Sequence, residues 1–405
     1  MNDKKKNSKN QIVFKRHMFW NYFCRPIGFL LALIKHYKRK EIFKMKKGES
    51  YIVLSNHQGS LDGIFLPYTF SRHLYAVLTD TFMSKGWVAK LLKHQFGIIG
   101  KKKGAVDVKA NMEMIRCVKE GGSLLIFPEG NRSYAEFQFD MTDGLAKFVR
   151  FFNKPIVLFN FHGAMGSDPR FGRKTRKGPY YGEVKRVLEP DEIKDWSNEK
   201  LTEVIKENLK VYDSESGDLY KSNKRAEYLE RMLFVCPKCG KVETLYSKGN
   251  YVYCKECGLK VEYTEDLHLR SDDPDFKFSR LVDWYDYQIR FVKNLKVGEG
   301  VIFKSGNAKL YISKPNKKRK LVANGPVELT EKTIKFAEKT IDIHEIEIAS
   351  PINGTNFNFS TSTDDYYVKG DARFNPLKFV LMFNKLDTKM RNSGADIYYN
   401  LESRN

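Results

Sequence analysis

Short apolar runs recur at 51–54, 74–78, 96–99, 124–127 and 156–161. Each has the length of a strand and is too short for a helix. Between two of them, residues 107–120 place Val108, Met112, Ile115 and Val118 on one helical face and end at Gly121-Gly122, a helix-stop pair. This alternation predicts an α/β domain with much parallel pairing. A Gly-, Arg- and Lys-rich stretch at 165–182 reads as a basic loop, and helical patterns follow at 199–211 and 219–234. Residues 278–293 form an amphipathic helix pattern, with Leu281, Trp284, Tyr285, Gln288 and Val292 along one stripe. Beyond 300 the period changes to two, through Ile341, Ile343, Ile346, Ile348, Phe357, Phe359 and Tyr367, which predicts antiparallel strands. Asn375-Pro376 suits the cap and first turn of a last helix through Leu386.

The amino-terminal region breaks this pattern. Residues 1–16 are a Lys-rich polar tail. Residues 17–36 hold aromatic side chains, then a nearly unbroken apolar stretch from Ile27 to Ile34, with Lys35, Lys38, Arg39 and Lys40 directly after. Aromatic and basic flanks around a short apolar segment predict an interfacial helix or a re-entrant pair lying in one leaflet, against the competing reading of a helix packed on the protein core. No stretch reaches the roughly 18 unbroken apolar residues that a spanning helix needs. No cleavable leader pattern is evident. With 71 Lys and Arg against 49 Asp and Glu, the net charge of +22 calls for an anionic partner: nucleic acid, an acidic membrane surface or a phosphorylated substrate. An apolar fraction of 41% excludes a wholly disordered chain.

Two strings follow expected strands and hold the candidate chemistry. Asn56-His57-Gln58-Gly59-Ser60-Leu61-Asp62 sets a His five positions before an Asp. Phe127-Pro128-Glu129-Gly130-Asn131-Arg132-Ser133 is a Pro-Glu-Gly turn with an Arg two residues on. Strand ends are where ligands bind in open α/β sheets. Asp62 is placed to fix one nitrogen of His57, leaving the other to take a proton from a hydroxyl. No Ser or Cys sits in a nucleophile-elbow pattern, so direct attack by an acceptor alcohol is expected. Gly59 lets the backbone approach a substrate closely. Arg132 supplies a planar fork for a phosphate, and Glu129 and Gly130 shape the turn beneath it. Lys101-Lys102-Lys103-Gly104 adds a second basic group at the same sheet edge.

This set resembles the glycerolipid acyltransferase family, whose best-known members are 1-acylglycerol-3-phosphate acyltransferases. The family's H-x4-D is matched by His57 and Asp62. Its second block is matched by Phe96-Gly97-Ile98-Ile99-Gly100-Lys101-Lys102-Lys103, its F-P-E-G-x-R-S block by Phe127 to Ser133, and its Pro-led apolar strand by Pro155-Ile156-Val157-Leu158. The resemblance spans about residues 20–215. Two positions depart from the pattern: Lys103 stands where an Arg is usual, and Asn131 where a Thr is usual. Lys lacks the bidentate fork, so the acceptor phosphate is expected to be held differently. The resemblance implies transfer of an acyl group from acyl-CoA or acyl-carrier protein to a lysophospholipid or glycerol phosphate hydroxyl. His57 and Asp62 are then catalytic, and Lys103, Glu129, Gly130, Arg132 and Ser133 are substrate-binding. Backbone N–H groups near Gly130 are the expected oxyanion donors. The expected location is the cytoplasmic face of a membrane, peripheral or monotopic, with an anionic phospholipid surface as partner.

Cys236-Pro237-Lys238-Cys239 and Cys254-Lys255-Glu256-Cys257 are separated by fourteen residues, and each pair is followed by Gly. This spacing predicts a closed tetrahedral zinc site of four thiolates, a structural ribbon. Cys24 and Cys117 are isolated, so no disulfide framework is expected and the compartment reads as reducing. The expected order is a basic tail and interfacial segment (1–46), an α/β acyltransferase domain with a mixed sheet and flanking helices (47–232), a zinc ribbon (233–265), and an amphipathic helix with a β-rich accessory domain (266–405). The last is similar in outline to pleckstrin-homology-like modules, and a basic hairpin at 314–320 is a candidate for anionic headgroups. Two other readings compete. A zinc-ribbon protein that binds nucleic acid or protein leaves His57, Asp62 and the 127–133 block unexplained. A non-catalytic lipid-binding protein leaves the intact His57, Asp62, Glu129 and Arg132 unexplained.

Overall fold

A computed structural model describes residues 25–79, 93, 96–101, 107–136, 141, 144–298, 300–314 and 318–386. The chain divides into two compact units. The first gathers the described residues of Met1–Ser133, Met141–Ala164 and Pro179–Tyr212, and the second those of Tyr134–Asp140, Met165–Gly178 and Asp213–Asn405. The expected boundary at 232 thus falls at 212, and the ribbon and the β-rich region belong to one unit.

The first unit is built on a seven-stranded mixed sheet of order β1-β7-β6-β2-β5-β3-β4. Its strands are β1 (Tyr37–Arg39), β2 (Ile52–Ser55), β3 (Leu74–Thr79), β4 (Ile99–Lys101), β5 (Ser123–Ile126), β6 (Ile156–His162) and β7 (Tyr180–Leu188). β6, β2, β5, β3 and β4 run parallel, and β7 is antiparallel to β6. Every residue of β2 is buried, as expected for a central parallel strand covered on both faces. One face packs on α3 (Val108–Lys119), α4 (Gly144–Phe151) and α5 (Asn198–Leu209), and the other on α1 (Arg25–Ile34) and α2 (Asp62–Thr69).

Helix α3 starts where Asp107 accepts a bond from the Ala110 N–H, and ends at Gly121 with φ +85°. Its buried face is not the expected one: Ala110, Met114, Cys117 and Val118 face the core, while Val108 and Met112 are exposed. The buried set starts two residues after Val108, about 200° around the helix, which turns Val108 and Met112 to solvent.

The second unit has a four-stranded sheet, β8 (Leu245–Lys248), β9 (Tyr251–Cys254), β10 (Lys260–Tyr263) and β11 (Leu269–Arg270). Helix α6 (Leu281–Asn294) follows and buries the whole predicted stripe, Leu281, Trp284, Tyr285, Gln288 and Val292. A seven-stranded antiparallel sheet then runs from β12 (Val301–Ser313) through β13 (Lys320–Thr330), β14 (Thr333–Phe336), β15 (Lys339–Asp342), β16 (Ile346–Asn353) and β17 (Asn356–Thr361) to β18 (Asp365–Gly370). Its order is β15-β14-β13-β12-β18-β17-β16, and α7 (Leu377–Leu386) closes it. Asn375 accepts from the Lys378 N–H, as its cap role predicts. One apolar core joins the small sheet, α6, the large sheet and α7.

One expectation fails here. Residues 219–234 are not a helix: they are turns with a single 3-10 turn at Leu229–Arg231, and Tyr228 sits at φ +74°. Residues 229–234 are all buried, whereas Leu219, Lys221, Asn223 and Lys224 are exposed. The basic stretch expected as a loop is irregular from 168 to 179 and leaves Arg173, Lys174 and Lys177 exposed. Arg170 and Arg176 are buried, with Arg170 donating to the Pro351 carbonyl and Arg176 to that of Arg225.

Candidate active site and metal centre

β2 and β5 are parallel neighbours, so the loops that follow them leave the same edge of the sheet. The loop after β2 begins with Asn56, whose side chain mimics a strand. Its amide donates to the Phe161 carbonyl at 2.9 Å and accepts from the Phe161 N–H at 2.8 Å. His57 comes next, already anchored to β6 through its neighbour.

The His57 ring is set by two contacts. Nδ1 lies 2.9 Å from Asp62 Oδ2, and the ring stacks on Phe127 with centroids 4.4 Å apart; the side chain is 25% exposed. Among the described residues none bonds Nε2, the nitrogen turned away from the carboxylate. Asp62 is completely buried, on the first turn of α2. A buried carboxylate costs several kcal/mol unless donors surround it. Asp62 has four: His57 Nδ1 and the N–H groups of Gln58 (2.9 Å) and Gly59 (2.8 Å) on Oδ2, and the Tyr180 hydroxyl (2.7 Å) on Oδ1. The helix N-terminus adds a favourable field of about 0.3–1 kcal/mol.

The 127–133 string holds the backbone of that loop. The Glu129 carboxylate accepts from the His57 N–H at 3.0 Å, the Ser133 N–H donates to the His57 carbonyl at 2.8 Å, and Arg132 Nε donates to the Gln58 carbonyl at 2.6 Å. Glu129 and Ser133, expected against substrate, are 2% and 1% exposed and serve as the clamp on His57. Gly130 has φ +64°, the left-handed conformation a glycine tolerates, and its N–H closes the turn onto the Phe127 carbonyl at 3.0 Å. That N–H is therefore engaged in the turn. Arg132 keeps its guanidinium beside the His57 loop. Lys103 lies outside the described residues. Tyr180, which no motif marks, is the contribution that sequence reasoning missed. It lies 118 residues from Asp62, and the pairing of β7 with β6 and β1 brings it in.

In the second unit, one ligand atom from each of Cys236, Cys239, Cys254 and Cys257 lies within 4.8 Å of the others. Two Sγ pairs stand at 3.6 Å (Cys236–Cys257) and 3.8 Å (Cys239–Cys254). Four thiolates about 2.3 Å from one tetrahedral ion sit about 3.8 Å apart, so the set fits a metal and is far too open for a disulfide. Each knuckle is built alike. Gly240 at φ +68° donates to the Cys236 carbonyl, and Gly258 at φ +73° to that of Cys254. The Cys236 and Cys254 N–H groups bond the carbonyls of Lys241 and Leu259. The cluster can hold one metal ion.

Residues 35–159 match the sequence family described as Acyltransferase. Among solved structures, the 1-acyl-sn-glycerophosphate (LPA) acyltransferase PlsC from Thermotoga maritima is similar at 19% identity and a TM-score of 0.39, over 46% of this chain and 75% of that chain. No curated protein sequence matches the chain. Over residues 35–159, the chain carries a domain of the acyltransferase family.

Proposed function

We propose that the chain is a membrane-surface O-acyltransferase that moves a fatty acyl group from a thioester to a hydroxyl of a lysophospholipid such as 1-acylglycerol-3-phosphate. The observation that carries this reading is His57, held through Nδ1 by the buried Asp62, with Nε2 turned away. Nε2 takes the proton of the acceptor hydroxyl as its oxygen attacks the thioester carbonyl carbon. The tetrahedral intermediate then expels the thiolate, which takes that proton back from the imidazolium. The ester bond forms as the carbon–sulfur bond breaks. Asp62 keeps the tautomer and stabilises the imidazolium. Arg132, whose Nε donates to the Gln58 carbonyl, is the cation we assign to the phosphate of acceptor or donor.

Helix α1 supports the membrane part of the reading. Ile27, Phe29, Leu30, Leu33 and Ile34 are 51–61% exposed, while Gly28 and Ala32 are buried. At about 1.5 Å per residue this helix covers roughly half of a hydrocarbon core, which suits an interfacial segment. No described helix is long and apolar enough to cross a membrane. Residues 17–24 of the expected segment lie outside the described residues. Zinc is the metal we assign to the four cysteines, as a structural ion, since four thiolates in a closed tetrahedron suit it. Four thiolates set to hold a metal and the buried Cys117 suit a reducing, cytoplasmic location. The meander closed by one helix supports the pleckstrin-homology-like outline for the β-rich region.

Purified protein offered acyl-CoA or acyl-carrier protein, each with a panel of lyso-acceptors, tests the reading. Thiol release that requires one acceptor class identifies the substrate. No release with either donor would sink the enzyme and favour a lipid-binding protein. Leu30→Glu/Leu33→Glu should lower sedimentation with phosphatidylglycerol vesicles severalfold. Unchanged sedimentation would remove α1 from the membrane.

A further inference from the structure

The carboxylate beside His57 has two oxygens with different tasks. Oδ2 takes three N–H donors, all from the loop it belongs to. Oδ1 takes the Tyr180 hydroxyl at 2.7 Å, from the opposite side and from a different strand. A carboxylate bonded through one oxygen can still swing about its own axis. A second bond to the other oxygen stops that motion and keeps Oδ2 aimed at Nδ1.

Everything around Tyr180 fixes its hydroxyl there. Tyr180 opens β7, pairs in register with Tyr37 of β1, and is buried. Its ring meets Tyr37 edge-on at 5.2 Å and Phe65 at 5.6 Å, and Phe65 sits one turn along the helix that begins with Asp62. Tyr37 in turn stacks on Phe65 at 4.4 Å, and its own hydroxyl is bonded to Thr69, not to Asp62. Gly59 completes the fit. A Cβ at that position would overlap both the Tyr180 hydroxyl and Asp62 Oδ1, so the glycine leaves open the volume the hydroxyl occupies.

We propose that Tyr180 is a positioning residue of the His57–Asp62 pair, acting on His57 through the second oxygen of Asp62, with Gly59 as the gap that admits it. The inference rests on the acyltransfer reading for its effect on turnover, but not for its effect on the imidazole. The hydroxyl draws charge from the carboxylate. Without it, the buried carboxylate leans more heavily on the imidazolium, and His57 holds its proton to higher pH. The other ionisable groups around the pair are Tyr37, Glu129 and Arg132, and Tyr180→Phe leaves them in place.

Tyr180→Phe should lower kcat about tenfold with little change in KM, since Tyr180 touches no substrate. The acid limb of the kcat/KM profile should move up by about half a pH unit. The His57 ring resonance, titrated by NMR and assigned with His57→Ala, should move by the same amount. Tyr37→Phe removes a neighbouring buried hydroxyl and should move neither the limb nor the resonance. If Tyr180→Phe does not fold, Gly59→Ala is the second arm: its Cβ would overlap both the hydroxyl and Asp62 Oδ1, which breaks the bond between them, and an unmoved His57 resonance there would equally overturn the role. A shifted resonance in a protein without acyltransfer activity upholds the positioning role while the acyltransfer reading fails. An active Tyr180→Phe enzyme with both limb and resonance unmoved overturns the role.

Discussion

The His57–Asp62 pair and the four-cysteine cluster are both short motifs, yet they are held in opposite ways. His57 and Asp62 lie in one loop, but the groups that aim them come from afar: Glu129 and Ser133 after β5, Phe161 on β6 through Asn56, and Tyr180 on β7. The cysteine knuckles close on themselves, each through a glycine N–H to the carbonyl of its first cysteine. An ion held by all four thiolates would join the two halves of that cluster. A motif held by distant strands should lose function while the fold survives. A motif that closes locally around an ion should lose the fold first.

The largest effect should come from the second kind. Chelation or Cys236→Ser should remove about one zinc per chain and lower the melting temperature by about 10 °C, the equivalent of a few kcal/mol for a unit of this size. Metal-free protein that melts unchanged would erase the contrast. Glu129→Ala is the corresponding break of the first kind. It leaves the His57 N–H unbonded at a buried position, a loss of about 1–3 kcal/mol. We expect kcat to fall roughly tenfold, through the aim of the ring, with circular dichroism unchanged. A fall in activity matched by loss of fold would make Glu129 merely structural.

A smaller effect separates two buried carboxyls. Asp62 has four donors, whereas Glu136 accepts from the N–H and hydroxyl of Ser214 and faces Asp213. Burial, then the Asp213 charge, pushes the Glu136 carboxyl up to about 8 from 4.5. The folded state therefore binds a proton that the unfolded state releases. This contribution is complete below pH 4.5 and is lost as pH rises toward about 8. Melting temperature should fall across that window, and Glu136→Gln should flatten the slope. A slope unchanged by Glu136→Gln would place the titration elsewhere.

The sequence made the motifs legible because their chemistry is local. A His five positions before an Asp can meet it within one loop, and paired C-x2-C turns need only a hairpin between them. The strands 51–54, 74–78 and 156–161 were legible as apolar runs, since buried parallel strands have no polar face. Their supports were not. Glu129 and Ser133 read as ligand groups because nothing in their own neighbourhood reveals a bond to a backbone 72 residues away. Tyr180 begins an ordinary strand and gains its role only from strand order. The helix expected over 219–234 does not form, and its charged residues are held inside: Arg225 and Arg231 donate to the carbonyls of Tyr263 and Ala372, and Glu230 accepts from the Ser247 hydroxyl.

The measurement that tests the central claim most directly is acceptor-dependent thiol release from acyl thioester, run with the wild-type chain beside His57→Ala. The account predicts release that requires an acceptor hydroxyl and falls by about a hundredfold to ten-thousandfold in the variant, with the fold intact. Release from His57→Ala within twofold of wild type would contradict it.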